Sequence, residues 1–102
     1  MTGYLEIHSG TDRRTVPLAA EVTHLGRGIS ADVRLDDATV SRRHAVIVTD
    51  NRGVRILDDR SMNGVWVDGE RVTEAPLADG AEIMLGRVML RFRSFVPESA
   101  AA

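Results

Sequence analysis

Leu25-Gly26-Arg27-Gly28-Ile29-Ser30-Ala31-Asp32-Val33-Arg34-Leu35 continues through Asp36-Asp37-Ala38-Thr39-Val40 to Ser41-Arg42-Arg43-His44-Ala45. After a hydrophobic run comes Asp58-Asp59-Arg60-Ser61-Met62-Asn63-Gly64-Val65-Trp66-Val67. Three short polar clusters stand out: Gly26-Arg27, Ser41-Arg42-Arg43-His44 and Ser61-Met62-Asn63-Gly64. Each falls where a strand-like stretch should end. A β-scaffold that gathers an Arg, a Ser-Arg pair and an Asn-Gly turn at one end has the parts of an oxyanion binder: planar guanidinium donors, a hydroxyl and loop N–H groups.

Working outward, the dominant period is two. Leu5 and Ile7 alternate with Glu6 and His8; Val16 and Leu18 follow, then Val22 to Leu25. Val33 and Leu35 alternate with Arg34 and Asp36, Val54 and Ile56 with Arg55, and Val65 and Val67 flank Trp66. Ile83 and Leu85 alternate with Glu82 and Met84, and Val88, Leu90 and Phe92 with Met89, Arg91 and Arg93. Ala45 to Val48 is apolar throughout, which predicts a strand buried on both faces. Asn51-Arg52-Gly53, Asp68-Gly69 and Asp79-Gly80 punctuate these runs. Asp-Gly between two runs is a hairpin signal, since a type I′ turn needs φ > 0 at both central residues. No convincing apolar stripe of helical period is present. About ten or eleven short strands at regular spacing predict an all-β sandwich or barrel.

At 102 residues the chain is long enough to bury one core without a metal or disulfide staple. It has no Cys, which excludes disulfides, thiolate metal sites and a Cys nucleophile. Met1 to Ser9 has neither a basic start nor a long apolar stretch, so no secretory leader is predicted. The apolar runs are too short to span a membrane, and a cytoplasmic protein is expected. A net charge of −2 and only four aromatic residues argue against nucleic acid as partner. All 13 cationic residues are Arg and none is Lys, a composition that reads as a GC-rich bacterial genome. Arg is therefore informative here by position, not by type.

Those three clusters, in that order and at these spacings, resemble the forkhead-associated (FHA) domain, a phosphothreonine-recognition module. Ala31-Asp32-Val33-Arg34-Leu35, Val67-Asp68-Gly69 and Leu85-Gly86 match further family positions, so the resemblance covers roughly Leu5 to Phe92. It implies an eleven-stranded β-sandwich with binding loops at one end, spanning 1–96, with 97–102 as a tail or the start of a linker. It implies that Arg27 is the central phosphate contact and that the Ser41 hydroxyl donates to a phosphate oxygen. Arg42 either supports the phosphate or holds the peptide backbone. Arg43 is assigned a solvated or supporting role. Asn63 is expected to hydrogen-bond the ligand main chain. Gly26, His44 and Gly64 are expected to shape the loops, His44 as a structural residue and not a general base. Thr39, Val40, Arg60 and Met62 are candidate specificity contacts.

Met62 and Val65 depart from the pattern: the family often has Thr, Ser or Arg at the first and usually Thr at the second. The resemblance implies no cofactor and no metal. The implied partner is a phosphothreonine-containing protein, a Ser/Thr kinase or its substrate. The chain starts close to its first strand, so the long phosphorylatable amino-terminal tail by which some relatives bind themselves is expected to be lacking. The alternative is a degenerate member that binds protein without phosphate. A small hydrolase built on Ser41 and His44 is disfavoured, because no metal set, Walker loop or paired acids accompany them.

Overall fold

The computed structural model describes residues 2–95, so the expected 97–102 tail lies outside the described residues. Eleven strands follow in order: β1 (Thr2–Ser9), β2 (Asp12–Pro17), β3 (Val22–Gly26), β4 (Val33–Arg34), β5 (Ala45–Asp50), β6 (Gly53–Asp58), β7 (Val65–Val67), β8 (Glu70–Val72), β9 (Glu74–Pro76), β10 (Glu82–Leu85) and β11 (Val88–Phe95). Among the described residues there is no helix. One sheet has the order β2-β1-β11-β10-β7-β8 and the other β4-β3-β5-β6-β9. The strand pairs are antiparallel save for the short parallel contact of β3 with β4.

The period-two runs place one set of side chains between the sheets. Across the six-stranded sheet, Ile7, Leu90, Ile83 and Val67 lie side by side in register. Across the five-stranded sheet, Thr23, Ile47, Ile56 and Ala75 do the same. These rows face a common core with Leu5, Leu25, Leu85 and Phe92, all nearly inaccessible to solvent. Burying each such side chain contributes about 1.5–3 kcal/mol, which makes the alternation decisive for register.

Two expectations need correction. Ala45 and Ile47 are buried, but Val46 and Val48 are only half-buried on the outer face of their sheet. A sandwich covers one face of each sheet, so β5 is apolar on both sides without being buried on both. Asp68-Gly69 forms the predicted turn, with φ of 49° and 87°, closing β7 onto β8. Asp79-Gly80 does not make a hairpin, because β9 and β10 belong to different sheets. Instead the Asp79 carboxylate accepts the Ser94 N–H at 2.9 Å and Gly80 N–H donates to the Phe92 carbonyl, pinning the crossover to β11.

Candidate phosphate-binding site

Three connections converge: 27–32 between β3 and β4, 35–44 between β4 and β5, and 59–64 between β6 and β7. The first two are stitched by backbone. Arg27 N–H donates to the Ser41 carbonyl at 2.9 Å and Gly28 N–H to the Arg42 carbonyl at 3.1 Å. That approach is possible because Gly26 has no side chain: a Cβ there would lie 2.0 Å from the Arg42 carbonyl oxygen. Gly26 does not have positive φ, so space, not conformational freedom, demands it.

The second and third connections are held by His44, which is fully buried. Its Nδ1 accepts the Ser41 N–H at 3.0 Å. Nε2 therefore carries the proton and donates to the Gly64 carbonyl at 2.8 Å, a tautomer assigned from this network. Gly64 itself has φ of 86° and sits under the Arg71 guanidinium. Ser61 closes its own loop: its hydroxyl donates to Asp58 at 2.9 Å and accepts the Gly64 N–H at 2.9 Å.

The remaining donors stay free in a definite way. Arg27 Nε is tied to the Val40 carbonyl at 2.9 Å, which anchors the guanidinium and leaves its two terminal amino groups for a ligand. Ser41 Oγ accepts the Met62 N–H at 2.9 Å, so its hydroxyl proton remains available to donate. Asn63 Nδ2 donates to the Thr39 carbonyl at 2.7 Å, orienting the amide and leaving one N–H and Oδ1. Arg42 is exposed, and Arg43 forms a two-pronged ion pair with Asp59 at 3.0 and 3.1 Å. Convergent guanidinium and hydroxyl donors of this kind can grip a tetrahedral dianion.

The structure brings Gly26, Arg27, Ser41, Arg42, His44, Asn63 and Gly64 together at one end. Other candidates are placed differently. Val40 is buried at 1% exposure, so its side chain packs in the core and cannot read a ligand; only its carbonyl serves the site. Thr39 is occupied internally: its hydroxyl donates to Asp37 and accepts the Arg87 N–H. Arg60 is exposed with φ of 62°, and Met62 is 84% exposed, contributing its backbone N–H to Ser41. Val65 is fully buried, so the hydroxyl it lacks relative to the family pattern would lie in the core, not in the site.

Residues 6–95 match a family described as the cytoplasmic domain of the inner membrane component of the type III secretion system. A solved structure from a study of phosphothreonine-dependent FHA domain interactions superimposes with a TM-score of 0.88 at 35% identity, covering 95% of this chain and all of that one. The FhaA FHA domain, solved in complex with the intracellular domain of Rv3910, aligns with a TM-score of 0.83 at 37% identity, covering 89% of this chain and 99% of that one. The glycogen accumulation regulator GarA of Mycobacterium tuberculosis is 42% identical over 71 residues, 70% of this chain but 44% of GarA. The chain thus spans less than half of that relative's length. It belongs to the FHA domain family, within which the secretion-component domain is an FHA-like member.

Two carboxylates that the sequence did not single out brace the site. Asp58 holds Ser61, as above. Asp37 accepts both the N–H and the hydroxyl of Thr39, at 2.9 and 2.6 Å, and pairs with Arg87 at 3.2 Å. The short spacing Asp37-x-Thr39 is a local turn signal, but nothing in it points to Arg87. The Thr39 hydroxyl first, then its N–H, then Arg87 lower the Asp37 carboxyl from 3.8 to about 2. A depressed pKa contributes stability that is complete above the unfolded value and lost as pH falls toward the folded one. After correction for its intrinsic rate, exchange of the Thr39 amide is therefore expected to be flat from neutral pH down to about 4, with an extra component appearing between there and about 2. Asp37→Asn should remove that extra component. An unchanged profile in the variant would show that Asp37 does not hold the loop.

Proposed function

We propose that this chain binds phosphothreonine peptides, with Arg27, Ser41 and Arg42 holding the phosphate and Asn63 fixing the peptide backbone. The observation that carries this is the disposition of Arg27 and Ser41. Each is anchored by one internal hydrogen bond, and each keeps its remaining donors free toward the same end of the sandwich. Phosphothreonine supplies between about −1.5 and −2 charge and three acceptor oxygens, which matches that donor set. The phosphothreonine-dependent behaviour of the FHA neighbour supports the same chemistry here. The partner is then a Ser/Thr kinase or one of its substrates, met in the cytoplasm. No helix among the described residues is long and apolar enough to cross a membrane.

Catalysis has little to stand on. His44 uses Nδ1 on the Ser41 backbone N–H, not on its hydroxyl, and Nε2 on Gly64. A general base must reach the proton it removes, and this ring does not.

The test is a titration with matched phosphothreonine, phosphoserine and threonine peptides. Arg27→Ala is expected to weaken phosphothreonine binding about tenfold to hundredfold, the worth of one charged hydrogen-bonding group at about 1.5–3 kcal/mol. The threonine γ-methyl adds roughly 0.8 kcal/mol by area, a preference over phosphoserine of about fourfold. Equal binding to phosphorylated and unphosphorylated peptides, unaffected by Arg27→Ala, would sink the proposal and favour phosphate-independent recognition.

A further inference from the structure

A groove runs between the β3–β4 and β4–β5 connections, lined by Arg27, Gly28, Ile29, Arg34, Arg42 and Arg43, with Ser30 beside them. Four arginines line one depression. Arg43 is neutralised by Asp59. Among the described residues, Arg27, Arg34 and Arg42 form no ion pair with any carboxylate. The nearby Asp32 is engaged with His24, at 3.0 Å.

Arg34 lies in a stretch that matches the family, but neither the sequence reading nor the phosphate site gives its side chain a role. It sits on β4 opposite Gly26 in register. Its Nε donates to the Arg27 carbonyl at 3.1 Å, which directs the guanidinium toward the β3–β4 connection and leaves its terminal amino groups unassigned. Its own carbonyl accepts from Arg14, which steadies the strand from the other side. Arg34 also borders a second cavity with Asp12, Arg14 and Asp36, where positive and negative side chains are equal in number. The groove on the Arg27 side has no such balance.

A phosphothreonine brings at most about two negative charges at neutral pH. With Arg43 cancelled by Asp59, Arg27, Arg34 and Arg42 present three positive charges. One cation is left over, and it is Arg34, the one outside the phosphate-binding set.

We infer that this groove is a second anion subsite, in which Arg34 reads a further negative group on the same phosphothreonine peptide. The inference rests on the phosphothreonine reading and narrows it: the partner carries phosphothreonine beside either an acidic side chain or a second phosphate. Arg34 selects between ligands and does not bind the first phosphate. Ile29, 96% exposed on the same rim, offers an apolar surface against which the peptide's own alkyl carbons can pack.

The experiment uses labelled phosphothreonine peptides in anisotropy titrations. One has alanine at every flanking position. A scanning set replaces alanine with glutamate at each position from three before to three after, and a last one carries a second phosphate at the best of these. At least one glutamate position is expected to raise affinity about threefold to tenfold, the range for a partly exposed charged contact, and to lose that gain at high salt. In Arg34→Gln the ratio of glutamate to alanine peptide should fall to about one. In Arg34→Glu it should invert, so that lysine at the same position is preferred. A second phosphate that outperforms glutamate identifies a doubly phosphorylated partner; parity identifies an acidic side chain, and both support the subsite. If the all-alanine phosphothreonine peptide binds and no glutamate position improves it, the subsite is refuted while the parent reading stands. A glutamate preference that persists unchanged in Arg34→Gln likewise refutes it. If the all-alanine phosphopeptide binds no better than its unphosphorylated form, the parent reading fails and this one with it.

Discussion

Replacing Gly26 by alanine is expected to lower the thermal midpoint by roughly 12 °C or more and to abolish phosphopeptide binding in what remains folded. The added Cβ would lie 2.0 Å from the Arg42 carbonyl oxygen, 2.8 Å from its carbon and 3.1 Å from the Ser41 carbonyl oxygen. All three are backbone atoms, so no side-chain rotation relieves the clash. The 35–44 connection must back away from β3. That surrenders the bonds from Arg27 N–H to Ser41 and from Gly28 N–H to Arg42. Overpacking of this kind costs about 1–3 kcal/mol. Two lost hydrogen bonds add about 1 kcal/mol each. The sum approaches 3–5 kcal/mol, a large share of the 5–15 kcal/mol that holds a domain of this size together. Displacement also carries Ser41 and Arg42 away from Arg27, so binding fails through the same movement. Gly10→Ala is the control: a Cβ there meets nothing within 4 Å and pays only for φ of 62°, about 1–2 kcal/mol. Thermal melts of the two variants separate the mechanisms. Equal, small losses would mean that β3 and the Ser41–Arg42 loop tolerate separation.

The contrast between those two glycines shows what the sequence could carry. Alternation of apolar and polar residues located the strands, because burial of one face imposes a period of two that a single sequence displays. It failed for β8 and β9, three residues each, where Glu70-Arg71-Val72 and Glu74-Ala75-Pro76 have no such pattern. Those strands exist because β7 and β6 offer them open edges, a tertiary cause. Pro76 is tolerated there because β9 is itself an edge strand. The site motifs were legible as residue types, but their division of labour was not. Thr39 reads as a loop residue facing a ligand until Arg87, 48 positions away, is seen to donate to its hydroxyl. Arg34 reads as the polar half of a strand until the β3–β4 connection folds back over it. In each case the missing information was a contact that exists only in the folded chain, 48 positions apart for Thr39 and Arg87 and seven for Arg34 and Arg27, for which residue type holds no signal.

Replacing His44 should likewise cost about 3–5 kcal/mol, and the choice of replacement tells why. The ring is fully buried and hydrogen-bonds both loops, whose backbones meet beside it where the Asp59 N–H donates to the His44 carbonyl at 2.9 Å. His44→Ala removes both hydrogen bonds and opens a cavity. His44→Phe fills most of the space but leaves the Ser41 N–H and the Gly64 carbonyl without partners, each worth about 1–3 kcal/mol when stranded. Phenylalanine is therefore expected to recover only the packing part of the loss in chemical denaturation. If phenylalanine restored full stability, the ring would be a filler and the hydrogen bonds incidental. Binding gives the second readout. The ring positions Ser41 from one side and Gly64, next to Asn63, from the other, so both variants should lose phosphopeptide affinity even at temperatures where they remain folded. A catalytic histidine would behave in the opposite way, sparing stability and binding while changing turnover. The arrangement of donors around this ring makes it the joint between the loop that offers the hydroxyl and the loop that offers the amide, and both variants should loosen the two together.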